Sequence, residues 1–108
     1  DATRDWGHAR DYVRAIIRIN RAKSPNDYVI ATGETHSVED FCQLAFEHLD
    51  LDYREFVKSD ERLYRSSEVV ELRGNASKAK DELNWNPTVS FESLVREMTE
   101  TDYRAIQE

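Results

Sequence analysis

Only two stretches of this sequence are patterned as strands, and both are short. Tyr28-Val29-Ile30-Ala31 is a fully apolar run with the turn residue Gly33 just beyond it. Residues 52–57 alternate, with Tyr53, Glu55 and Val57 against Arg54 and Phe56. Two strands of this length do not make a stable sheet alone. Everything else with a clear period is helical, so the expected order is helix–strand–helix–strand–loop–helix–helix. The strands are expected to add to a sheet or core that lies elsewhere.

The helices announce themselves through caps and stripes. Residues 1–7 read as extended or turning, and the first helix is expected from residue 8 or 9 to 23. Tyr12, Val13, Ile16, Ile17 and Ile19 form its apolar stripe, and Arg10, Arg14, Arg18 and Arg21 its wet face. Pro25 stops it by forcing its neighbour out of the helical region. Ser37 starts a second helix with Asp40 completing a weak capping box, and Val38, Phe41, Leu44, Ala45 and Leu49 are its buried face. Asn75 is the expected cap of a third helix over 76–83, closed by Asn84-Trp85-Asn86-Pro87 with Trp85 as packing. Ser90 caps a fourth helix to about residue 106, with Phe91, Leu94, Val95 and Met98 inward.

A chain of 108 residues fits one domain, which should bury roughly 60–65% of its unfolded surface. Fifteen basic and 22 acidic residues give a net charge of −7, which disfavours nucleic acid and anionic membranes as partners. No apolar run reaches membrane-spanning length and no signal peptide opens the chain, so a cytoplasmic location is expected. The single cysteine, Cys42, excludes an intrachain disulfide and reads as a small buried hydrophobe in a reducing compartment. The chain opens on Asp1 instead of methionine, as a domain cut from a longer polypeptide or a processed chain would.

Several chemistries are missing. Gly7, Gly33 and Gly74 are isolated, so there is no glycine-rich turn to bring backbone against a pyrophosphate. No tyrosine has a lysine four residues later, and His8, His36 and His48 lack metal-ligand spacing. No catalytic, cofactor or metal residue is therefore assigned. Anion-binding capacity is present. Arg62-Leu63-Tyr64-Arg65-Ser66-Ser67-Glu68-Val69 concentrates two guanidinium groups, hydroxyls and a carboxylate. A guanidinium fork suits a diphosphate, a carboxylate accepts ribose hydroxyls, and Arg65 and Glu68 are spaced to face one ligand. A solvated salt bridge explains the same spacing. Arg4 lies just ahead of a helix start, where negative charge is favoured, although a salt bridge to Asp5 or Asp11 would also account for it.

The motifs together carry a resemblance. Arg4-Asp5-Trp6-Gly7-His8-Ala9-Arg10-Asp11-Tyr12-Val13 resembles the RDWGHAxDYV segment of GDP-mannose 4,6-dehydratases, members of the extended short-chain dehydrogenase/reductase superfamily. Residues 28–38 are similar to their YVIATGExHSV segment, and Arg65-Ser66-Ser67-Glu68-Val69 to their RPxEV motif. Ser77-Lys78-Ala79-Lys80, Leu83-Asn84-Trp85-Asn86-Pro87 and the segment from Phe91 to Met98 continue the series in order. Ser66 stands where the family has proline, which removes a fixed φ from the loop that aims Arg65. The segment before this loop is also shorter than in many relatives.

The resemblance implies an α/β fold and a place within it. Residues 1–108 would be the C-terminal nucleotide-sugar-binding portion, about four helices with two or three short strands. The NADP-binding Rossmann domain, with the catalytic set, would be missing. The complete enzyme, a lyase, would convert GDP-D-mannose to GDP-4-dehydro-6-deoxy-D-mannose on the way to GDP-fucose, using NADP, and would be a homo-oligomer. Carried over by motif, Arg4 and Arg65 are diphosphate ligands and Glu68 a ribose ligand. The chain alone is expected to be inactive and to hold no cofactor. The alternatives are the binding half of a related nucleotide-sugar epimerase or reductase, and a stand-alone GDP-sugar-binding or interaction module without catalysis.

Overall fold

Each helix starts where a side chain supplies an acceptor for the free amides of its first turn. The computed structural model describes residues 2–60, 62 and 70–107. Helix α1, Ala9–Asn20, opens on His8, whose Nδ1 accepts the Arg10 N–H at 2.9 Å. Helix α2, Val38–His48, opens on a full capping box. Ser37 Oγ accepts from the Asp40 N–H (3.0 Å), and the Asp40 carboxylate accepts from the Ser37 N–H (2.9 Å). Helix α3, Ser77–Leu83, ends at Asn84, left-handed at φ 53°. Ahead of helix α4, Phe91–Gln107, Ser90 Oγ accepts from the Ser93 N–H.

Two short strands lace the ends together. Strand β1, Thr3–Arg4, pairs antiparallel with β2, His36–Ser37, placing Thr3 opposite Ser37 and Arg4 opposite His36. On its other edge Thr3 bridges Glu71 in parallel. The Thr3 N–H donates to the Val70 carbonyl (2.8 Å), and the Leu72 N–H donates to the Thr3 carbonyl (3.0 Å). Thr3 therefore joins three chain segments.

The core is small. Ala15, Ala79 and Trp85 form its centre, with Tyr12, Tyr28, Ile30, Ala76 and Leu83 around them. A second cluster packs Trp6, Phe41 and Phe91, their ring centres 5.0 to 6.1 Å apart, with His36 stacked on Phe91 at 3.8 Å. The accessible surface is 8448 Å², against roughly 6,200 Å² for a folded monomer of this mass. The radius of gyration is 16.7 Å, against about 13 Å for a compact chain of this length. Burial is thus near half of the unfolded surface, short of the expected 60–65%.

Four expectations are corrected. The α1 stripe points the wrong way: Val13, Ile16 and Ile17 are 53%, 56% and 44% exposed, while Asp11 and Ala15 are buried. Arg14 and Arg18 are not a wet face. Arg14 donates to the Asn86 carbonyl and Arg18 to the carbonyls of Leu83 and Asn84, the orphan acceptors at the end of α3. Residues 28–31 run without a ladder; Tyr28 and Ile30 pack on the core and Val29 stays exposed. Residues 52–57 form a 3₁₀ turn, Tyr53–Glu55, because Asp52 accepts the Arg54 N–H (3.0 Å) and locks the chain locally. The expected inward faces differ as well, since Met98 and Val38 are exposed and Cys42 is only half-buried.

Candidate functional site

Arg4 sits where three segments meet. Its Nη1 donates to the Thr3 carbonyl at 2.7 Å, so the guanidinium is already engaged and half-buried. The expected ion pair with Asp5 or Asp11 is not what occupies those carboxylates.

Asp5 instead gathers donors from two distant segments. Its Oδ1 accepts from the Thr32 N–H (2.8 Å) and the Thr32 hydroxyl (2.6 Å). Its Oδ2 accepts from the N–H groups of Gly33 (2.8 Å) and Gly74 (3.2 Å). Burial pushes its pKa up, but these four donors outweigh burial and hold it below the ordinary 3.8. Gly74 belongs to this junction for a steric reason. A Cβ there would strike the Ala31 Cβ, which has no rotamer with which to yield.

Asp11, 1% exposed, does the same work in the first turn of α1. It accepts from the Thr88 hydroxyl (2.7 Å), the N–H groups of Thr88 (2.9 Å) and Val89 (3.1 Å), and Arg14 (3.2 Å). Desolvation raises its pKa, and the bonds from Thr88, Val89 and Arg14 more than reverse that, leaving it lowered. The Trp85 indole donates to the Asp11 carbonyl at 2.9 Å, so Trp85 is packing, as expected. Trp6 is also an anchor: its Nε1 donates to the His36 carbonyl at 2.9 Å.

Of the residues assigned from sequence, Arg4 alone is described. Arg65 and Glu68 lie outside the described residues, as do Leu63, Tyr64, Ser66, Ser67 and Val69. Arg62 is described, 88% exposed, and its guanidinium makes a two-pronged bond to Asp60 at 2.8 to 3.2 Å. Sequence reasoning missed Asp5 and Asp11, whose partners, Arg14 apart, lie 27 to 78 residues away. The one local signal was a carboxylate on each side of the first helix start.

The remaining polar features suit neither a diphosphate nor a dinucleotide. A hollow of about 550 Å³ between the end of α2 and the 3₁₀ turn is lined by Glu47, Asp50 and Asp52 with Arg54, and carboxylates repel phosphate. The glycine amides that a dinucleotide would need are spent, since Gly33 and Gly74 both donate to Asp5. His8 and His48 contact Glu97 and Glu100 on α4 at 2.8 and 2.9 Å. Among the described residues no group of three or more His, Cys, Asp or Glu could hold a metal ion, and no helix is long and apolar enough to cross a membrane.

Comparison with known proteins then adds the lineage. The family described as GDP-mannose 4,6 dehydratase matches residues 1–98. GDP-mannose 4,6 dehydratase 2 of Arabidopsis thaliana is 46% identical over 101 residues, covering 94% of this chain and 27% of the relative. The fold matches RMD from Pseudomonas aeruginosa complexed with NADPH at a TM-score of 0.81 and 17% identity, covering 97% of this chain and 34% of that one. UDP-glucose 4-epimerase from Thermotoga maritima, solved with UDP-glucose, matches at 0.81 and 23% identity, covering 97% and 33%. The chain spans about a third of the length of the relatives it matches.

Proposed function

The chain belongs to the GDP-mannose 4,6 dehydratase family, within the extended short-chain dehydrogenases/reductases, and from that premise we propose that it is the sugar-nucleotide-binding portion of such an enzyme. Joined to its cofactor-binding portion, it serves the conversion of GDP-D-mannose to GDP-4-dehydro-6-deoxy-D-mannose. NADP is held by that other portion, consistent with glycine amides that are committed to Asp5 here. The outward stripe of Val13, Ile16 and Ile17, with the unladdered residues 28–31, is where the cofactor-binding portion packs. A helix apolar on its outer face as well as its inner one is built for two partners.

One observation carries the reading: Thr3, next to Arg4, is bonded to Val70 and Leu72, the first residues after the Arg65–Glu68 motif. On this reading Arg4 and Arg65 hold the diphosphate and Glu68 the ribose. The complete protein works in the cytoplasm as a homo-oligomer, and nucleic acid and membranes are not its partners.

The test uses the full-length protein. Arg65→Ala should weaken GDP-mannose binding by about 1.5–3 kcal/mol, as loss of a charge-assisted contact does. Unchanged affinity in a folded variant removes Arg65 from the site. UDP- and dTDP-sugars should bind more weakly than GDP-mannose; the reverse order assigns the chain to an epimerase instead. The 108-residue chain given GDP-mannose and NADP should yield no 4-keto-6-deoxy product, and its appearance would refute that expectation.

A further inference from the structure

Asp5 holds together more chain than its place just after a half-buried two-residue strand requires. Its four acceptor contacts reach the turn Thr32-Gly33-Glu34 and the return segment at Gly74. Those are the two segments whose neighbours, His36 and Val70 to Leu72, flank β1 on either edge. The backbone bonds fix the register of Thr3, and the carboxylate fixes the next turn of chain. Arg4 lies between the two points of attachment.

We propose that Asp5 is a positioning residue for the nucleotide diphosphate: by tying Thr32, Gly33 and Gly74 into one carboxylate, it sets the angle at which Arg4 is presented. The inference rests on the function proposed above and deepens it. Three features separate it from a merely structural anchor. The bonds are short and charge-assisted, between 2.6 and 3.2 Å, which is the class worth most per contact. They converge from segments far apart in sequence, so no local helix or strand would hold this geometry in their absence. The donors on Asp5 come from Thr32, Gly33 and Gly74 while Arg4 Nη1 donates to the Thr3 carbonyl, so Asp5 acts on the guanidinium through the backbone.

An asparagine at position 5 keeps the shape but replaces one acceptor oxygen with a donor, which then faces the N–H groups of Gly33 and Gly74 or those of Thr32. In the full-length enzyme, Asp5→Asn should raise the KM for GDP-mannose about tenfold, the loss of one to two such bonds, while kcat changes less than about threefold. Thr32→Val, which removes the 2.6 Å hydroxyl contact to Asp5 together with the bond that hydroxyl accepts from the Glu34 N–H (3.2 Å), should raise KM about threefold and decides the matter should Asp5→Asn not fold. Asp5→Glu should recover part of the KM. An unchanged KM in folded Asp5→Asn or Thr32→Val overturns the proposal. So does a fall in kcat with KM intact, the mark of a smaller folded fraction. Arg4→Ala and Arg65→Ala run alongside keep the two readings apart. If they raise KM and Asp5→Asn does not, only the positioning role falls; if they too leave KM unchanged, the nucleotide site itself is misassigned.

Discussion

Replacing Asp11 should cost this fold more than any substitution on its surface. The side chain is 1% exposed and receives hydrogen bonds from Thr88, twice, from Val89 and from Arg14. The Thr88 hydroxyl can turn to water, and Arg14 keeps its bond to the Asn86 carbonyl. That leaves the Thr88 and Val89 amides as the groups Asp11→Ala strands. At about 1.5–3 kcal/mol for each bond to a charged acceptor, the loss is about 3–5 kcal/mol. A domain of this length has roughly 5–15 kcal/mol in total, so Asp11→Ala stands near the edge of folding. Thr88→Val removes one of the four bonds and should cost about 1 kcal/mol. Equilibrium urea unfolding at pH 7, followed by the fluorescence of Trp85, reads all of this, since its indole donates to the Asp11 carbonyl. If Asp11→Ala loses less than about 1 kcal/mol, the carboxylate is not the pin between α1 and the loop before α4.

Other outcomes follow from the same contacts. Asp5 and Asp11 both have lowered pKa values, so their stabilisation is complete above the ordinary 3.8 and drains away as pH falls through their depressed folded values. Acid melting curves should steepen below about pH 4, and an Asp5→Asn, Asp11→Asn double variant should be less stable at pH 7 with a shallower acid slope. Gly74→Ala should destabilise by about 1–3 kcal/mol, because backbone must move to part it from Ala31; an unchanged melting temperature contradicts that packing. Arg18→Met should lower stability by about 1–2 kcal/mol by releasing the Leu83 and Asn84 carbonyls, whereas a surface arginine would change nothing measurable.

What the sequence made legible was whatever is settled within four residues. Ser37 with Asp40, Ser90 with Ser93, and His8 at the start of α1 cap their helices through short-range bonds, and Asn84 ends α3 on the spot. Local chemistry also explains one failure: Asp52 capping Arg54 overrides the alternation over 52–57, which suited a strand only in the absence of that bond. The other failures are failures of context. Val13, Ile16 and Ile17 form a true apolar stripe, but among the described residues it stays about half exposed. The inner face goes to Ala15 and Asp11, and two arginines are drawn in by carbonyls 65 to 72 residues away. Residues 28–31 are likewise strand-like in composition, with no neighbour among the described residues to complete a ladder. Asp5 and Asp11 could not be distinguished from solvated carboxylates, since their partners become visible only once the chain has closed on itself. For Arg4, sequence supplied the residue and the fold supplied its setting beside the return at Val70.

The most direct measurement is a structure of the full-length protein with GDP bound. The diphosphate should lie within hydrogen-bonding distance, about 3 Å, of the Arg4 and Arg65 guanidinium groups, with a ribose hydroxyl on Glu68. A nucleotide bound with its phosphates remote from both arginines would contradict the assignment of this chain as the sugar-nucleotide-binding portion.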